Sequence, residues 1–98
     1  MLTVFIPTYN GRAKVLRLLG LLQQQSDKEF TVHVLIDGST DHTDELQHEF
    51  PDYHFHQFPN QGRGGIRNQA LRLCQSGILL FLDHDMLPET DLIRQHRE

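Results

Sequence analysis

The sequence predicts an α/β fold, a mostly parallel sheet with helices on both faces. Three observations predict it. Apolar runs alternate with segments of helical spacing in the order β-α-β-α-β-α-β-α. Two of those runs, FTVHVLI at 30–36 and ILLFL at 78–82, are nearly continuous, as in strands buried on both faces. The chemically unusual residues gather in the four segments that follow the strands, 7–10, 37–39, 59–64 and 83–85. In open α/β sheets ligands bind at those carboxyl ends, where the strand order reverses.

Residues 2–6 are a β-branched and aromatic run, and Pro7 is expected to stop that strand. Asn10-Gly11 signals a turn. Val15, Leu18, Leu19 and Leu22 then share one helical stripe, with Arg12, Lys14 and Arg17 largely off it. Polar residues 23–27 end the helix. Residues 30–36 form the second strand, broken by Asp37-Gly38-Ser39. Ser39, Thr40 or Asp41 can cap a helix running to about Glu49, and Pro51 ends it. Residues 53–58 alternate Tyr-His-Phe-His-Gln-Phe, a short strand near a sheet edge. Over 65–75, Ile66, Ala70, Leu73 and Cys74 fall on one helix face, with Gly77 placed as its C-terminal cap. The run 78–82 is the most apolar and is expected at the sheet centre. Residues 83–88 read as a turn and 89–98 as the start of another helix.

Composition narrows the function classes. The 98 residues allow one small domain at most. A net charge of -4 argues against a non-specific nucleic-acid or anionic-membrane binder. One cysteine excludes an intramolecular disulfide framework and a multi-cysteine zinc site. No apolar stretch is long enough to span a bilayer, and the N-terminus lacks the basic region of a signal peptide.

Asp83-His84-Asp85 is the sharpest feature. Two carboxylates one residue apart at the mouth of a buried strand repel each other, and a hard divalent cation such as Mg²⁺ or Mn²⁺ is the usual compensation. The bland reading is a helix cap and a solvated carboxylate. His84 is a weaker candidate ligand, because in an extended segment its side chain is expected to point away from its neighbours. Asp37-Gly38-Ser39 places an acid where a nucleotide-binding α/β half hydrogen-bonds a base or ribose, or else is an ordinary capped turn. In 60–68, Asn-Gln-Gly-Arg-Gly-Gly-Ile-Arg-Asn, glycines allow close backbone approach, and Arg63 and Arg67 add cationic groups near a helix N-terminus. It is neither a Walker A loop nor a dinucleotide fingerprint, and a solvated flexible loop is the alternative. Tyr9, after the first strand, can stack on a nucleobase or simply belong to a turn. His54 and His56 share a strand face that His33 or His48 can approach, but exposed edge-strand histidines are far commoner than metal sites. Cys74 reads as core.

These segments together resemble a known family. VFIPTYN at 4–10, DGSTD at 37–41, the stretch 60–68 and LDHD at 82–85 are similar, in order and spacing, to the N-terminal half of family 2 glycosyltransferases of the GT-A fold. The resemblance implies a Rossmann-like nucleotide-sugar-binding half and metal-dependent transfer of a sugar from a nucleoside-diphosphate donor, with a family bias towards UDP. It implies that Pro7, Thr8 and Tyr9 wall the nucleobase and that Asp37 hydrogen-bonds it. It further implies that Gly62, Arg67 and Asn68 lie beside the ribose and diphosphate. Asp83 and Asp85 correspond to the D-x-D pair that contacts the ribose and the Mn²⁺ or Mg²⁺ bridging the diphosphate. The sequence departs from the family in having one acid, Asp37, where two adjacent ones are common. Met86 stands where many members carry a further Asp, and Gly65 and Ile66 stand where small residues such as Ala are common.

The family's general base, an Asp of the later acceptor-binding half that gives inversion, has no matching position among these residues. The expectation is therefore that 1–98 is the donor-binding part of a longer enzyme and transfers no sugar alone. The acceptor would be a carbohydrate or a lipid-linked group, with no nucleic-acid partner. The location would be cytoplasmic, the cytoplasmic face of the membrane included. Open sheet edge and apolar surface make self-association plausible. Two competing classes are a non-catalytic nucleotide-binding remnant and a nucleotidyltransferase, whose phosphate loop would directly follow the first strand.

Overall fold

The computed structural model describes residues 2–60, 62–73, 78–84, 88, 92 and 93. The elements are β1 (Leu2–Thr8), α1 (Arg12–Leu22), β2 (Phe30–Asp37), a 3-10 helix (Thr43–His48), β3 (His54–Phe58), α2 (Gly62–Leu73) and β4 (Ile78–Phe81). The strands form one all-parallel sheet in the order β3-β2-β1-β4. The chain thus winds outward from β1 to β3, then crosses back to β4. Right-handed crossovers require the connections on the two sides of β1 to lie on opposite faces of the sheet. The cores agree. Leu2, Val4, Ile6, Val32, Val34 and Ile36 pack with the α1 stripe Val15, Leu18, Leu19 and Leu22, and with Leu46 and Phe50. On the other face Phe5 and Leu35 pack with Ile66 and Ala70 of α2.

Four expectations need correction. Pro7 does not end β1, which stays paired with β2 through Pro7↔Leu35 and Thr8↔Ile36. The reason lies in strand alternation. The Phe5 carbonyl accepts from Leu82 N–H on the β4 side, so Pro7, two residues on, turns its missing N–H the same way. Only the pairing with β4 suffers. Second, the segment after β2 is a six-residue 3-10 helix preceded by His42 in the left-handed region. Over 42–50 only Leu46 and Phe50 are large apolar residues, too few for an α-helical stripe. Third, β4 is not central, since among the described strands it pairs with β1 alone. Fourth, α2 begins at Gly62, three residues before the expected start.

Ser39 and Thr40 act away from the helix they were expected to cap, while Asp41 serves both its first residue, Thr43, and α1. The Asn10 N–H donates to Ser39 Oγ at 2.8 Å, and the Thr40 N–H donates to Asn10 Oδ1 at 2.7 Å. The Asp41 carboxylate caps α1, accepting the Arg12 N–H at 2.9 Å, and also accepts the Thr43 hydroxyl at 2.5 Å. Burial pushes the Asp41 pKa up, but these hydrogen bonds outweigh it and hold the group below its ordinary value. The loops after β1 and β2 are thereby stitched together at the carboxyl end of the sheet. Gln25, expected in a polar helix end, is 2% exposed, and its Oε1 accepts the Ile93 N–H at 3.0 Å. Leu92 and Ile93 are helical, in line with the expected helix over 89–98, whose other residues lie outside the described set. Cys74 and Gly77 also lie outside it.

Candidate functional site

The reversal of strand order falls between β1 and β4. Beyond the Phe5–Leu82 hydrogen bond, Pro7 offers β4 no donor, so the ladder between these strands cannot continue as a regular one. A cleft of ≈ 640 Å³ opens there. It is lined by Pro7, Thr8, Tyr9, Asp37, Gly64, Ile66, Arg67, Phe81, Asp83 and His84. Residues from four separate stretches of chain thus converge on one cavity.

Most of the expected site residues are among them. Tyr9 is 54% exposed, so its ring is available to a ligand. Thr8 is buried, and its Oγ1 lies 2.8 Å from His84 Nδ1. Asp37, 8% exposed at the end of β2, accepts the Gly62 N–H at 3.0 Å and so ties the start of α2 to the sheet. Gly38 between them has φ +72°, and a Cβ there would come within 2.9 Å of the Asn60 nitrogen. Only glycine meets both demands. The Arg67 guanidinium lies over the Phe81 ring, 5.3 Å from its centroid, a cation–π contact at the cleft wall. Asp83 is exposed and lines the cleft.

Gly62 meets the site only through Asp37, and Asn68 is exposed without lining the cavity. Asp85 lies outside the described residues. Sequence reasoning missed His84 as a cleft residue, along with Ile66 and Phe81. Its place between two acids was visible, but the reach of its ring back to Thr8 depends on tertiary structure. Among the described residues no group of three or more His, Cys, Asp or Glu is arranged to hold a metal ion. Nor is any helix among them long and apolar enough to cross a membrane.

Fold and site define a doubly wound α/β domain with a cleft at its switch point, carrying two carboxylates and an arginine. The sequence profile of glycosyl transferase family 2 matches residues 3–98, and the chain belongs to that family. It is 40% identical, over 96% of its length, to the uncharacterized glycosyltransferase YfnE of Bacillus subtilis, of which it spans 25%. It superposes on the crystal structure of Staphylococcus aureus TarS 1-349 in complex with UDP-GlcNAc with a TM-score of 0.87. The identity is 30%, covering 96% of this chain and 29% of that one. The mannosyltransferase PcManGT of Pyrobaculum calidifontis, in complex with GDP-Man and Mn²⁺, gives 0.79 at 26% identity, covering 94% of this chain and 30% of that one. The chain therefore spans between a quarter and a third of each protein, and the GT-A fold implied by the sequence holds across it.

Proposed function

We propose that this chain binds the nucleoside-diphosphate-sugar donor of a glycosyltransferase, with a divalent cation, in the cleft between β1 and β4. The observation that carries the reading is the convergence of Thr8, Tyr9, Asp37, Arg67 and Asp83 on that cleft. Tyr9 offers an exposed ring for a nucleobase, in the cleft that Pro7 and Asp37 also line. Arg67, at the α2 side, supplies positive charge for a diphosphate. The binding of UDP-GlcNAc by TarS and of GDP-Man by PcManGT supports the donor class, and a UDP-sugar is the donor favoured here.

The donor set suits Mn²⁺ or Mg²⁺. Such ions are held by one or two carboxylates and completed by phosphate oxygens and water. Asp83 supplies an exposed carboxylate at the cleft, and Asp85 is the proposed second ligand. The bound cation would neutralise charge developing on the leaving diphosphate. Arg67 adds to that stabilisation, while Thr8, Tyr9 and Asp37 orient the nucleoside. We assign the general base for the acceptor hydroxyl to a group outside these 98 residues, with inversion at the anomeric carbon. The isolated chain would then bind donor in the cytoplasm's reducing conditions and transfer no sugar.

Calorimetric titration of the chain with UDP, GDP and their sugars, with and without Mn²⁺, tests this. Binding that strengthens with Mn²⁺, and loses that gain in Asp83→Ala or Asp85→Ala, is the expected result. Absence of any heat with every nucleotide overturns it and favours a non-catalytic remnant. Sugar transfer by the isolated chain would refute the assignment of the base.

A further inference from the structure

Three residues at the split between β1 and β4 form one lock. The His84 ring reaches across the cleft floor to Thr8, with Nδ1 2.8 Å from Oγ1. Gly11 makes the room. A Cβ at that position would lie 2.2 Å from His84 Nδ1, 2.5 Å from its Cε1 and 2.8 Å from Thr8 Oγ1. Distances under about 3 Å force displacement, so the ring occupies space that any other residue at 11 would fill. The backbone beneath has a reason to need such a link. The regular ladder to β4 loses its next donor at Pro7, just before this point.

The lock joins the two halves of the cleft. Thr8 and Gly11 flank Tyr9 and Asn10 on the β1 side, while His84 directly follows Asp83 and precedes Asp85 on the β4 side. Holding the imidazole against Thr8 fixes the peptide segment that carries Asp83. We propose that His84 is a positioning residue. Its hydrogen bond to Thr8, in the space left by Gly11, sets the Asp83 carboxylate at a fixed distance from the nucleoside side of the cleft before ligand arrives. Preorganisation of this kind removes the cost of ordering the segment on binding. The proposal rests on the donor-site reading above and assigns His84 no contact with the reacting atoms.

The test has a ligand-free arm and a ligand arm. In the chain alone, Thr8→Val removes the hydroxyl at nearly constant shape, and Gly11→Ala pushes the ring out while leaving both polar groups intact. Amide hydrogen exchange at Leu82, whose N–H is held by the Phe5 carbonyl just before Asp83, should quicken about tenfold in each, with Thr8→Ser restoring protection. Unchanged exchange in both variants overturns the lock. In the ligand arm, His84→Ala should weaken UDP binding more with Mn²⁺ than without it, by about tenfold, and the His84→Ala/Thr8→Val pair should lose no more than the worse single variant. His84→Asn, whose amide can occupy the place of Nδ1, should recover most of the loss. Equal weakening with and without Mn²⁺, or additive losses in the pair, overturns the positioning role. Failure of the unmodified chain to bind any nucleotide is a different outcome: it refutes the donor-site reading and the role built on it, while the exchange arm still decides whether the lock exists.

Discussion

The two faces of the sheet are built differently. Towards α1, the side chains of β1 and β2 are Leu2, Val4, Ile6, Val32, Val34 and Ile36, none more than 3% exposed, under the four-residue stripe of α1. Towards α2, only Phe5 and Leu35 are fully buried by Ile66 and Ala70, with Phe58, Leu73, Leu79 and Phe81 half-covered beside them. The rest of that face carries a stack of imidazoles. His33 lies 4.7 Å from His54 and 5.1 Å from His56 between ring centroids, and Phe5 stacks on the other side of His33 at 5.2 Å. His33 Nδ1 and His56 Nε2 are 2.9 Å apart. One face is a continuous apolar layer that fixes strand register. The other gives up apolar burial for polar contacts and borders the cleft. Stability should therefore reside mainly on the α1 face and pH sensitivity on the α2 face.

The largest effect should come from a cavity under α1. Leu18 is 0% exposed, and Leu18→Ala should cost about 3 kcal/mol. Leu73, half-covered on α2, should cost about 1 kcal/mol on the same substitution. Urea midpoints measure both. Equal losses would break the contrast between the faces.

The apolar face was also the legible one. The spacing of Val15, Leu18, Leu19 and Leu22 and the run 30–36 specify their own burial, because periodicity and hydrophobicity act locally. The gathering of Tyr9, Asp37 and Asp83 at strand ends was legible too, once a parallel sheet is inferred, with Arg67 just beyond in α2. What failed depended on partners distant in sequence. Pro7 could not be read as harmless to β1 without knowing that β2 lies on the other side of its missing N–H. Asp41 holds Thr43 at the start of its own helix, but that it also caps α1, twenty-nine residues earlier, was not legible. His54 and His56 do lie on an edge strand, as read, but the choice of His33 over His48 as their neighbour is made by the register of β2 with β3. The apolarity of 78–82 suggested a central strand, yet Leu82 is buried while Ile78 is 44% exposed.

Acid should act next, and on the α2 face. Burial, followed by the neighbouring His54 and His56, pushes His33 from 6.5 down to about 4, and His56 is lowered for the same kind of reason. The unfolded chain takes up protons below pH 6.5 that the folded stack refuses. Stability should therefore fall as the pH drops from about 6.5 towards 4 and level off below. Solvent screening of partly exposed rings limits the loss to about 1 kcal/mol, a shift of roughly 5 °C in Tm. Asp41 acts in the same direction but at lower pH. Its stabilisation is complete above 3.8 and is lost only below that, so it does not explain a change near pH 5. His33→Phe keeps a ring against Phe5 and cannot titrate. Thermal melts across this range should show a shallower slope in that variant, and an unchanged slope would move the pH sensitivity elsewhere.

The smallest effect should be found on the α1 face, where charge rather than burial is removed. Arg12 Nη1 lies 3.0 Å from Glu45 Oε1, and the two side chains are 38% and 56% exposed. The pair joins the start of α1 to the 3-10 helix and looks like a clamp over the apolar layer. Yet Arg12 Nη1 also donates to the His42 carbonyl at 2.5 Å, and the Arg12 N–H is held by Asp41. Losing the carboxylate of Glu45 leaves these contacts standing, and exposed ion pairs are worth little. Glu45→Gln should therefore shift the urea midpoint by the equivalent of less than about 0.5 kcal/mol, and less still in high salt. A loss approaching that of Leu18→Ala would mean that the junction of α1 with the 3-10 helix is held by charge. The contrast between the faces would then be one of two kinds of electrostatics rather than of burial against polarity.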